Sequence, residues 1–233
     1  MEKRLDIFLL IGQSNMAGRG RMNEVSALRH PRIRMFRGGE WLPAAEPLHT
    51  DKPEVAGVGL GMSFALDLVG RDGWSPIGLL PCAVGGTPLS RWMPGADLYA
   101  QAVAATRAAQ AAGELKGILW HQGEADAGSA ADADSYGARL RDMIFGLRTE
   151  LAAGRNIPVV AGELGHFLEN FDGCGFFRQV NRQLHELEAS LPGFACASAD
   201  GLGDNGDALH FSAAALREFG VRYARRFLEL PQP

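Results

Sequence analysis

Five short apolar runs constrain the fold of this chain more than any other feature: Ile7–Ile11, Ile77–Leu80, Gly117–Trp120, Pro158–Ala161 and Phe194–Ala197. Each is continuous rather than alternating, and each ends in glycine or polar residues. Such runs are what strands covered on both faces look like, because neither row of side chains meets water. Between them lie segments with a helical period. Leu60–Val69 carries Met62, Leu66 and Val69 at compatible spacing, and Tyr136–Leu151 places Leu140, Ile144, Leu147 and Leu151 on one face. Ala96–Ala112 is alanine-rich, with strong helix propensity, and Phe176–Leu191 and Ala213–Leu230 read as helices too. Strands alternating with helices predict an α/β fold of three layers, α/β/α, because right-handed crossovers put helices on both faces of a parallel sheet. Ligands in such sheets bind beyond the carboxyl ends of the strands, which puts any site at the residues following each run.

The stretch from Arg19 to Val55 breaks the pattern. It holds Pro31, Pro43, Pro47 and Pro53 with no clear period and reads as an irregular insertion after the first strand. Loops of that length in compact domains are usually functional or mobile. No repeat or low-complexity linker divides the chain, so residues 1–233 form one domain. A chain of 233 residues buries about 70% of its unfolded surface and needs no metal or disulfide staple. Its net charge of −4 gives no reason to expect nucleic acid or an anionic membrane as a partner. The cysteines Cys82, Cys174 and Cys196 are odd in number and lack metal-ligand spacing, which fits free thiols in a reducing compartment. The basic N-terminus before Ile7–Ile11 imitates a signal peptide, but the run is too short and no small-residue cleavage site follows. No stretch approaches the roughly 20 apolar residues that cross a bilayer. The expectation is a cytoplasmic protein; the sequence does not set its oligomeric state.

The chemistry lies at the ends of the runs. After the first comes Gly12-Gln13-Ser14-Asn15-Met16-Ala17-Gly18, a serine on a tight strand-to-helix turn whose N–H groups face the space its hydroxyl enters. Read alone, the serine is as well explained as a helix N-cap. Near the C-terminus, Asp207 and His210 stand three apart in a loop entering a helix. A serine nucleophile needs a base, and a histidine base needs an acceptor to fix its tautomer. A helix terminus with acidic residues for the dipole is the rival there, and a calcium loop is weaker because the spacing misses the EF-hand pattern. Gly85-Gly86-Thr87 follows the second run and offers a second N–H. His121-Gln122-Gly123-Glu124-Ala125-Asp126 follows the third; it brings the Gln122 amide and two carboxylates, without the second ligand cluster a metal needs.

In this order, the four blocks resemble the SGNH/GDSL hydrolase superfamily, and more closely its branch of sialate O-acetylesterases and acetyl xylan esterases, carbohydrate esterase family six. The resemblance implies a flavodoxin-like sheet of five parallel strands. It implies Ser14 as nucleophile, His210 as general base and acid and Asp207 as its orienting group. It also implies an oxyanion hole of the Ser14 N–H, the Gly86 N–H and the Gln122 side chain, with Gly85 the alternative to Gly86. Gln122 stands where the wider superfamily has asparagine. Gln13, Asn15 and Glu124 are expected to support the site, Glu124 by bonding backbone near Ser14 or His210. Arg91, Trp92 and His166 are expected at the substrate. The implied activity is removal of O-acetyl groups from a small or oligomeric carbohydrate through an acetyl-serine intermediate, with no metal or organic cofactor. A short-chain lipase or thioesterase on the same triad is the alternative, as is a carbohydrate-binding protein without catalysis.

Overall fold

The computed structural model describes residues 4–152 and 154–231. Residues 1–3, part of the basic opening weighed against a signal peptide, lie outside the described residues. All five apolar runs are strands: β1 (Leu5–Gly12), β4 (Ile77–Pro81), β5 (Gly113–His121), β6 (Val159–Gly162) and β7 (Phe194–Ala197). Two more come from the proline-bearing insertion, β2 (Ile33–Arg37) and β3 (Glu40–Pro43). Among the described residues the sheet therefore has seven strands rather than the expected five, in the order β3-β2-β4-β1-β5-β6-β7. Six run parallel, and β3 closes the edge antiparallel to β2. Gly38 and Gly39 turn the β2–β3 hairpin with φ of 60° and 87°. Two consecutive positive φ values match the twist of a two-residue hairpin and are what a glycine pair supplies.

Helices cover both faces. α2 (Gly61–Val69) and α6 (Ala213–Leu228) pack together on one face, and α3 (Asp97–Ala109), α4 (Ala130–Ala152) and α5 (Phe177–Ser190) on the other. Central strand β1 serves both cores: Ile7, Leu9 and Ile11 join one cluster, Phe8 and Leu10 the other. α4 starts at Ala130 rather than Tyr136 because Ser129 receives the Asp132 N–H at 3.4 Å, while the alanines and aspartates of its first turn carry no apolar period. Among the described residues no helix is long and apolar enough to cross a membrane.

The chain builds β2 and β4 to one side of β1 and β5, β6 and β7 to the other. The crevice at that switch lies beyond the carboxyl end of β1. There the backbone makes one short helix, α1 (Ser14–Ala17).

Candidate active site

Ser14 is the first residue of α1 and is 7% exposed. His210, 196 residues away, sets its Nε2 3.0 Å from Ser14 Oγ, and its Nδ1 lies 2.7 Å from Asp207 Oδ2. The other Asp207 oxygen accepts the N–H groups of Leu209 and His210 at 2.9 and 2.8 Å. One carboxylate thus shapes the turn and orients the ring it carries. Burial raises the Asp207 pKa, but these hydrogen bonds outweigh it and hold the carboxyl below its usual range. An ionised Asp207 accepts a hydrogen bond from Nδ1–H, which fixes that tautomer and leaves Nε2 to accept from the serine hydroxyl. The nearby acids that suggested calcium are engaged in the loop: Asp204 Oδ2 accepts from Gly206 and Ala208 N–H, at 2.9 and 2.8 Å.

Asn15 straps this loop to the sheet. Its Nδ2 donates to Glu124 Oε1 and, at 3.2 Å, to the Leu209 carbonyl; its Oδ1 accepts the Phe211 N–H at 3.1 Å. Both neighbours of His210 are therefore held by one side chain. Glu124 reaches the histidine loop through Asn15 rather than by bonding backbone there. Burial raises the Glu124 pKa, yet His121, whose Nε2 lies 3.4 Å away, and the hydrogen bond from Asn15 prevail and hold it low.

The opposite side of Ser14 carries donors. The Gly85 N–H is engaged by Asp51 Oδ2 at 2.7 Å, whereas the N–H groups of Ser14 and Gly86 have no protein partner among the described residues. Of the two glycines it is Gly86 whose N–H is open. Gly85 is also closely packed: a Cβ there would meet Arg19 Nη2 at 2.5 Å and Asp51 Oδ2 at 3.1 Å, the two ends of the ion pair behind the loop. Gln122 is not at this cavity. It is fully buried, and its Nε2 lies 2.6 Å from Asp126 Oδ2, 3.1 Å from the Thr87 carbonyl and 3.2 Å from Gln13 Oε1. Three protein acceptors surround two hydrogens, so the expected oxyanion contact is not what this amide makes. Asp126 is fixed in turn by Arg139 at 2.8 Å and the Leu89 N–H at 2.9 Å.

Ser14 and His210 line a cavity of about 560 Å³ whose far walls come from the insertion, through Arg19, Met22, Lys52 and Val55. Those residues escaped sequence reading; only the length of the insertion signalled them. Arg91, Trp92 and His166 do not line it. Trp92 is a core residue, 1% exposed, with Nε1 3.1 Å from Thr87 Oγ1 and its ring edge-on to Trp120. Arg91 is turned outward to pair with Asp97. His166 sits beyond β6 beside Glu163, at 3.7 Å, in a separate depression shared with His185.

A family profile described as "Carbohydrate esterase, sialic acid-specific acetylesterase" matches residues 4–229. The chain belongs to that family. This acetylesterase is 33% identical over 242 residues to a probable carbohydrate esterase of Arabidopsis thaliana, spanning 95% of this chain and 90% of the relative. An X-ray structure of an Arabidopsis thaliana protein superposes on it with a TM-score of 0.88 at 32% identity, over 97% of this chain and 98% of that one. NanS shares the fold, at a TM-score of 0.76 and 18% identity over 98% of both chains. So does a carbohydrate acetylesterase from Xanthomonas citri, at 0.71 and 23% over 94% of this chain and 54% of that one.

Behind the glycine loop, the acetylesterase buries an ion pair. Arg19 Nη2 lies 2.7 Å from Asp51 Oδ2, and both side chains are almost wholly covered. Beside them sits buried His49, whose pKa burial pushes down to about 4 from 6.5 against the pull of Asp51. In acid the unfolded chain takes this proton before the folded one does, so the fold loses stability as pH falls from 6.5 toward 4. Between pH 7 and 5 the expected loss is about 2 kcal/mol. Urea unfolding of the parent and His49→Leu at both pH values checks it: the substitution should flatten the profile, and an unchanged slope would remove His49 from the account.

Proposed function

We propose that this acetylesterase removes O-acetyl groups from a small carbohydrate through an acetyl-serine intermediate. The observation that carries the reading is the unbroken chain from Ser14 Oγ through His210 to Asp207, at 3.0 and 2.7 Å, in the wall of a cavity of monosaccharide size. As Ser14 Oγ attacks the acetyl carbonyl carbon, its proton passes to His210 Nε2. The carbonyl oxygen becomes an anion facing the open N–H groups of Ser14 and Gly86, each worth roughly 3–4 kcal/mol of barrier. Collapse breaks the bond to the sugar oxygen, which leaves with the proton from His210. Water then adds to the acetyl-serine, gives its proton to His210, and acetate departs as Ser14 recovers its hydrogen. Asp207 remains ionised throughout and stabilises the imidazolium.

Lys52 favours an acidic sugar over a neutral one. Its Nζ lies 3.8 Å from where a Cβ on Gly86 would be, and it has no ion-pair partner among the described residues. A carboxylate on the departing sugar would meet that ammonium beside the glycine loop. The test is a series of p-nitrophenyl esters from acetate to octanoate, followed by acetate release from acetylated sialic acid, acetylated amino sugars and acetylated xylan. Acetate should be the preferred acyl group and acetylated sialic acid the preferred carbohydrate ester. A preference for octanoate would replace this reading with the lipase one.

A further inference from the structure

The oxyanion side of Ser14 holds one more polar group that no step above uses, the side-chain amide of Gln13. Gln13 lines the cavity and is 3% exposed. Its Oε1 accepts from the Ala125 N–H and from Gln122 Nε2, both at 3.2 Å. A backbone N–H only donates, so Ala125 decides which end of the amide is oxygen. The amine end is left without a protein partner among the described residues. It is also absent from the fully enclosed polar atoms that lack partners, a group that does include Gln122 Oε1, so Gln13 Nε2 is not fully enclosed, and Gln13 belongs to the cavity lining.

The neighbouring contacts hold it there. Arg139 holds Asp126, Asp126 holds Gln122, and Gln122 holds the Gln13 oxygen. The Gln13 backbone is pinned as well: its N–H donates to the His121 carbonyl at 2.8 Å, and its own carbonyl accepts from Met16 and Ala17. A side chain fixed at its oxygen and its backbone, adjacent to the nucleophile and in the cavity lining, keeps an unpartnered N–H₂.

We propose that Gln13 Nε2 is the third oxyanion donor, and that Gln122 acts through it as a positioning residue. The proposal rests on the serine-esterase reading above. Gln13→Glu is the informative variant, because it keeps an oxygen for Ala125 and Gln122 while replacing the amine with a second, repelling oxygen. Expected for p-nitrophenyl acetate is a kcat lower by about 10²–10³-fold with KM little changed. Affinity for a small boronic acid, which adds to the serine as a tetrahedral anion, should fall in parallel. Gln13→Ala should show the same split and serves where the charged variant does not fold. Gln122→Ala should lose less on both measures. A Gln13→Glu enzyme within about threefold of the parent, or a larger loss of boronate affinity in Gln122→Ala than in Gln13→Ala, would overturn it. Ser14→Ala separates the two failures: activity there defeats the esterase reading, whereas an inert Ser14→Ala beside an active Gln13→Glu defeats only the role of Gln13.

Discussion

Ser14→Ala and His210→Ala are each expected to lower kcat for an acetyl ester by on the order of 10⁵–10⁶-fold, and the double variant should be no worse than either single one. The two groups form one relay across a single 3.0 Å contact, so removing either end removes the whole of it. Asp207→Asn should cost less, about 10⁴-fold, and through a different route. An asparagine oxygen still accepts the Leu209 and His210 N–H groups that shape the turn. Its amine, however, would face His210 Nδ1, favouring the tautomer whose Nε2 carries the hydrogen and has no room for the serine's proton. Pre-steady-state release of p-nitrophenol, read beside kcat and KM, separates these outcomes. A single variant of Ser14 or His210 that keeps a tenth of the parent rate would dismantle the relay.

The second large effect belongs to a residue that never meets substrate. Asn15→Ala removes three hydrogen bonds at once, to Glu124, to the Leu209 carbonyl and from the Phe211 N–H. Glu124 is left buried with less to hold its charge, and the two peptide groups flanking His210 lose their anchor. Stranding a buried charge and two backbone groups should destabilise the fold by about 3 kcal/mol. The same loosening of His210 should lower kcat by on the order of 10²-fold, since small displacements of a catalytic group are costly. Asn15→Asp, which sets a second carboxylate against Glu124, should fare worse in both respects. Guanidinium unfolding and steady-state kinetics on the same preparations decide it. A stable, fully active Asn15→Ala would mean that the histidine loop is held by its own turn alone.

The layered sheet was legible because each central strand is covered twice and so reads as an unbroken apolar run. The candidate site residues were legible for a related reason: a parallel sheet gathers its carboxyl ends on one edge, and Ser14 and Gly86 each follow such an end, whereas Gln122 follows one too but is turned away from the cavity. The edge hairpin was obscured by prolines, although Arg37-Gly38-Gly39-Glu40 carried the turn signal. Which amide faces the cavity was beyond sequence, because Gln13 and Gln122 are both buried glutamines at strand ends and only their acceptors tell them apart. Trp92 offered a plausible sugar platform, yet a large ring near a strand end is equally suited to filling the core, and that is where it packs. His166 shares the productive edge but follows β6, separated from β1 by the whole of β5. Lys52 and Asp51 had no local pattern at all, since each meets the glycine loop across more than thirty positions of chain.

Asp51 joins two features that are usually separable. The segment it belongs to forms the cavity's outer wall, while its carboxylate holds the Gly85 N–H, next to the Gly86 N–H that the proposed mechanism sets against the developing charge. Exchanging this segment to admit a different alcohol would therefore also retune the turnover rate, unless the graft brought its own acid to the same spot. On the proposed mechanism, breadth of substrate and speed of reaction are geared together in this scaffold.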